Sequence, residues 1–152
     1  MTTHQDTVYA DGFVGDLVGD VTGKTNGATL TKFSETIAFG DFTDGGGAAG
    51  TIDLTNTIPA GAIVLYVGSD ALTGFAGDVS ATIQIGDGSD VDRYNTGTPD
   101  VFSDVANGID LGNPSGDQFH DAEATVTVTI TADANWGDVD AGEITLEFYY
   151  LS

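Results

Sequence analysis

The chain contains no cysteine, and only three basic residues, Lys24, Lys32 and Arg93, stand against 24 acidic ones. Without thiols there is no disulfide framework and no cysteine chemistry, whether nucleophilic, redox or metal-binding. With so few cations, nucleic acid is excluded as a direct partner, because phosphate contacts draw on Lys and Arg. An anionic membrane surface is disfavoured for the same reason. No apolar run approaches the length of a membrane span. The opening MTTHQDTVYADG lacks the basic and apolar regions of a secretory leader, so synthesis in a cytoplasm is expected.

What is present is an acidic chain of 152 residues with a net charge of −21, the size of one domain with one core. The acids are 20 Asp and four Glu. Asp favours turns over helix interiors, so the bias leans away from helices. The charge has two overlapping readings. One is a solvated surface that keeps the protein soluble; the other is adaptation to saline surroundings, where salt screens the self-repulsion.

Residues 1–32 differ from the rest. Glycines at 12, 15, 19, 23 and 27 interrupt the apolar Tyr9, Phe13, Val14, Leu17, Val18 and Val21. The expectation is an extended N-terminal arm, either ordered against a partner or neighbouring subunit through those side chains or frayed. The remainder, residues 33–152, reads as strands. Residues 33–42 alternate, a glycine loop follows, and residues 51–56 carry Ile52 and Leu54 inward, which together suggest a hairpin. Gly45, Gly47 and Gly50 match a dinucleotide-loop spacing, but a strand, not a helix, follows them. Residues 58–92 organise the middle of the chain. After Pro59 and Gly61 an apolar strand runs over 62–67, breaks at Gly68, and gives way to a second strand carrying Ala81, Ile83 and Ile85.

Residues 93–121 form a long polar excursion with scattered apolar anchors, Val101, Phe102, Val105, Ile109, Leu111 and Phe119, and a short helical turn is expected near residues 99–106. The clearest strands come last. Val126, Val128 and Ile130 alternate with threonines, and Ile144, Leu146, Phe148 and Tyr150 alternate with Glu143, Thr145, Glu147 and Tyr149. About seven or eight short strands predict an all-β fold, an antiparallel β-sandwich or jelly-roll-like barrel.

Catalytic chemistry has little to work with. His4 and His120 are the imidazoles, and neither lies near a strained serine turn; His120 beside Asp121 reads as a loop residue. A carboxylate pair for glycoside hydrolysis needs an aromatic-lined cleft, and the single Trp136 lies in a turn where it caps the core. No catalytic residue and no cofactor is therefore assigned. Asp87, Asp90 and Asp92 fail the EF-hand pattern, because Val91 and Asp92 occupy its fifth and sixth positions. A looser Ca²⁺ site from those three acids stands beside turn chemistry, which accounts for the same residues. Arg93 either pairs with a neighbouring Asp and fixes its loop, or is solvated without a fixed partner.

Three stretches together carry a likeness. They are Gly50-Thr-Ile-Asp-Leu with Ile58-Pro-Ala-Gly61, then Ile83-Gln-Ile-Gly86-Asp-Gly-Ser-Asp-Val-Asp-Arg-Tyr94, and finally Val126-Thr-Val-Thr-Ile130 leading to Asp140-Ala-Gly-Glu-Ile-Thr-Leu-Glu-Phe-Tyr149. Over residues 50–151 the chain resembles small β-sandwich structural proteins of tailed-bacteriophage virions that decorate or cement the capsid. The resemblance implies a non-enzymatic decoration protein on the capsid surface, made in the host cytoplasm. It implies binding to the major capsid protein as a homo-oligomer, with a trimer favoured. An alternative keeps the virion but makes the chain a tail or head-fibre adhesive module, recognising a host glycan through residues 93–121.

Overall fold

The two most regular alternations become interior strands of two different sheets. The computed structural model describes residues 28–152. Its strands are β1 (Leu30–Ala38), β2 (Thr43–Asp44), β3 (Ala49–Ile58), β4 (Ile63–Thr73), β5 (Ala81–Gly86), β6 (Ala124–Ala132) and β7 (Glu143–Leu151). They form a three-stranded sheet, β1-β7-β4, and a four-stranded sheet, β2-β3-β6-β5, with the pairings between strands antiparallel. The fold is a β-sandwich; the two sheets do not close into a barrel. Tyr9, Phe13, Val14, Leu17 and Val18, and His4 with them, lie outside the described residues.

The period-two pattern explains the core. Val126, Val128 and Ile130 of β6 face Ile144, Leu146 and Phe148 of β7 across the sandwich, all fully buried. Ile83 and Ile85 of β5 and Val64, Val67 and Leu72 of β4 complete the same cluster. Each such side chain contributes about 1.5–3 kcal/mol over an exposed one. Phe33 of β1 stacks on Phe148 with ring centroids 4.8 Å apart. On the outer surface of the four-stranded sheet the alternate positions are threonines: Thr43, Thr51 and Thr129 align with Gln84 across all four strands. Their β-branched side chains suit the pleat while remaining wettable.

Several expectations are corrected. Residues 33–42 and 51–56 do not pair as a hairpin: β1 joins β7 and β3 joins β6 in the other sheet, and across the glycine loop β3 pairs only with the two-residue β2. Crossing between the sheets lets each buried face meet the opposite one, which a lone hairpin cannot do. Strand β1 takes in Leu30–Lys32, ahead of the expected boundary at residue 33, and ends at Ala38. Phe39–Asp41 is a 3-10 turn, and it directs Phe42 into the core beside Trp136. Strand β4 runs on past Gly68 to Thr73, because irregularities at Val64/Tyr66 and Ser69/Ala71 absorb register shifts against β7.

Trp136 closes one end of the core, as its turn position suggested. It sits in the 3-10 turn Trp136–Asp138, capped by Asn135, whose Oδ1 accepts the Gly137 N–H at 3.0 Å. Its ring lies flat against Gly50, where an added Cβ would come within 2.7 Å of Cζ2. Gly50 is the inward-facing partner of Ile130, so only a residue without a side chain leaves the indole this seat.

Candidate interaction face

The excursion between β5 and β6 is extended, not helical. Residues 99–106 hold no helical turn; Pro99 and Val101 trade backbone hydrogen bonds with Ile83 and Ala81 along β5, and Val105 does so twice with Leu72 of β4. The open edges of both sheets supply donors and acceptors that a helix would have left unpaired. Further on, residues 118–120 run beside the start of β4. Val64 N–H donates to Gln118 O at 3.2 Å, and His120 N–H to Ala62 O at 2.9 Å. Val101 and Leu111 are fully buried and anchor the excursion as expected, whereas Phe119 is 49% exposed.

One arginine holds this added strand in place. Arg93 donates through Nη1 to Asp87 Oδ2 at 2.7 Å, and through Nη2 to the carbonyls of Asp117 (2.7 Å) and Phe119 (3.2 Å). Gln118 reciprocates, its Nε2 donating to Arg93 O at 3.1 Å. Of the two readings of Arg93, the structure selects the fixed pair. Asp87 is fully engaged, since its Oδ1 also accepts the Ser89 and Asp90 N–H groups at 3.0 and 2.9 Å. Burial opposes its ionisation, but the Asp90 N–H, the Arg93 guanidinium and the Ser89 N–H outweigh it and hold the carboxyl below its ordinary range. The Asp87 and Asp90 side chains thus serve a turn, Asp90 Oδ1 accepting the Asp92 N–H at 3.4 Å. Among the described residues no group of three His, Cys, Asp or Glu side chains is poised around a metal, and no pocket is enclosed.

His120 is a loop residue, as read, and it is buried. Its Nε2 lies 3.2 Å from the Tyr94 hydroxyl, and Tyr94 packs edge-on against Phe148. Burial first, and the Arg93 charge second, depress the imidazole pKa, so the ring is held neutral. Burial raises the Tyr94 phenol well above its ordinary value, and the Asp87 charge adds to this. The pair is a satisfied core contact. It packs the strand bearing Phe119 from beneath, while Arg93 fastens it from the side.

The outcome is a row of apolar side chains on the outer surface of the three-stranded sheet. Register aligns Leu30 of β1, Leu151 of β7 and Ile63 of β4, and Ile63 in turn bridges to Phe119. The next row holds Lys32, Tyr149 and Tyr66, with Leu65 exposed beside them at the β4 irregularity. Leu30 is 62% exposed and Leu65 47%. Lys32 lies 2.5 Å from Glu147 and above the Tyr149 ring, and Tyr149 donates to the same carboxylate at 2.9 Å. The Lys32 ammonium foremost, then the Tyr149 hydroxyl, hold the Glu147 carboxyl below its usual range. Sequence reading missed this face because it takes register across three strands and the excursion to assemble it. Alternation assigned Tyr149 and Glu147 outward, but showed nothing of what lies beside them.

No protein-family model matches the chain, and no curated protein does. Among solved structures, a chain of the cyanophage Pam1 capsid asymmetric unit is similar at a TM-score of 0.53 and 19% identity, over 97% of this chain and 99% of that one. The likeness extends over nearly the whole of two chains of comparable length, and it establishes a shared fold.

Proposed function

We propose that the chain is a non-enzymatic structural protein of a tailed-bacteriophage virion, a capsid decoration protein that binds the major capsid protein as a homo-oligomer, with a trimer as the expected state. The observation that carries the reading is the nearly end-to-end likeness to a chain from a phage capsid asymmetric unit. The sequence resemblance to decoration proteins supports it from a separate direction. The physical requirements of such a role are also met. Cement between shell subunits needs a rigid body, solubility at high copy number and contact surfaces that gain strength by repetition over a lattice. Here a sandwich with a continuous core supplies the body, a net charge of −21 supports solubility, and the apolar rows of the three-stranded sheet offer contact.

The reading places the protein on the capsid surface after synthesis in the host cytoplasm. It assigns no catalysis, no cofactor, no membrane partner and no nucleic-acid partner, the last because the charge repels phosphate. The test is co-sedimentation of the purified chain with shells of the same phage that lack it. Saturable binding at a fixed ratio to the major capsid protein is expected, and shells that pellet without the chain would refute the proposal. Serine at Tyr9, Phe13 and Leu17 in the full chain tests the arm separately, with weaker shell binding expected.

A further inference from the structure

The rows on the three-stranded sheet are flanked by opposite charges. On the β1 side stands Lys32, the exposed lysine of the described residues. On the far side, Asp117 and Asp121 alternate with Phe119 in the added strand, and both are exposed. Between them lie Leu30, Leu151, Ile63, Leu65, Tyr66 and Tyr149. An apolar surface of this breadth is larger than isolated exposed residues account for.

We infer that this face is a contact between copies of the chain, in which the Lys32 side of one copy meets the Asp117–Asp121 side of the other and the apolar rows are buried between them. Two features of the molecule favour a second copy over another occupant. A chain of net charge −21 repels its own copies over most of its surface, so they can meet only where acids are sparse and a cation is present. The central rows meet that condition, since the acids of these strands on the outer surface beside them are Glu147, already paired with Lys32, and, towards the opposite end, the exposed Glu143 and Asp70. With the exposed Lys32, which Glu147 shares, on one side and Asp117 and Asp121 on the other, the face is also self-complementary about a twofold axis, each copy's lysine lying towards the other's two acids. The inference adds a twofold contact between copies to the proposed function, and it holds or fails without any capsid.

The test is mass in solution, by sedimentation velocity and light scattering over a range of concentrations in 0.15 M NaCl, roughly physiological ionic strength. The wild-type chain is expected at a multiple of its 15.5 kDa. An Ile63→Glu/Leu65→Glu variant should run as a single chain, with circular dichroism unchanged. Val79→Glu, exposed on the β4–β5 connection away from this face, should keep the wild-type mass. Lys32→Glu should weaken association at least tenfold, and Asp121→Lys in the same chain should restore it; a role for Lys32 confined to its own Glu147 gives no rescue. A wild-type chain that stays single at every concentration overturns the inference, as does an Ile63→Glu/Leu65→Glu variant that keeps the wild-type mass. So does a Phe13→Ser/Leu17→Ser variant that falls to a single chain, because the N-terminal residues would then be making the contact. A single chain that still saturates shells removes this interface and leaves the capsid reading standing.

Discussion

Arg93 and Asp87 offer the sharpest test of how the excursion is held. Replacing Arg93 by Met keeps the aliphatic stem but removes the ion pair and two charge-assisted bonds to the carbonyls of Asp117 and Phe119. Bonds from charged donors contribute about 1.5–3 kcal/mol each, and the freed carbonyls lie where water can reach them, so a loss of about 3 kcal/mol is expected in all. Asp87→Asn retains the acceptor for the Ser89 and Asp90 N–H groups and loses only the charge opposite Arg93, for a cost of about 1–2 kcal/mol. Both changes remove the same pair, so the double variant should cost about 3 kcal/mol and show a coupling of about 1–2 kcal/mol. Urea denaturation of all four proteins measures this, with unchanged slopes confirming that the native state is intact. Amide exchange should rise at Val64 and His120, whose hydrogen bonds tie residues 118–120 to β4. A coupling below about 0.3 kcal/mol, within ordinary additivity error, would refute the account of Arg93 as the fastening of this strand.

Gly50→Ala drives a methyl into the Trp136 ring and should destabilise by about 1–3 kcal/mol, seen as a lower melting temperature by tryptophan fluorescence. Stability should fall in two stages on acidification. The folded pKa of His120 is depressed from 6.5, so the unfolded chain binds more protons just below that value, and stability present above it declines as pH drops towards the folded pKa. The carboxyls of Glu35 and Asp87, lowered from 4.5 and 3.8, add a second decline below those values. His120→Gln should remove the upper stage and leave the lower; a single transition in the wild type, unchanged in the variant, would contradict it. Melting temperature should rise between 10 mM and 1 M NaCl as screening relieves self-repulsion, about a tenfold change in Debye length, and a flat profile would remove the saline reading of the charge.

The strands were legible wherever alternation was strict. Val126-Thr-Val-Thr-Ile130 and Ile144-Thr-Leu-Glu-Phe148 announce their faces because side chains in a strand point alternately to either side, and hydrophobic burial then fixes which side is which. The extent of β4 was hidden, since an extra residue at each irregularity scrambles the period that reading depends on. Partners were hidden as well. Glu35 on β1 accepts the N–H groups of Thr55 and Asn56 on β3, and Tyr94 meets His120, contacts that no local pattern encodes. Glu35 became a fastener between sheets because the β3 irregularity between Asp53 and Thr57 left N–H donors in need of an acceptor, while His120 is held by its Tyr94 partner within the excursion.

The hydrogen bonds between Thr29 and Ser152 place the two ends of the described domain side by side, with β1 and β7 lying antiparallel directly beyond them. A load applied between these ends pulls across the ladder, not along it. Its bonds then yield in turn from Leu30 towards Ala38, as a zipper opens, at far lower force than shearing the whole ladder at once. The ladder is spared when load reaches this domain through its sheet faces and not through this pair of neighbouring ends.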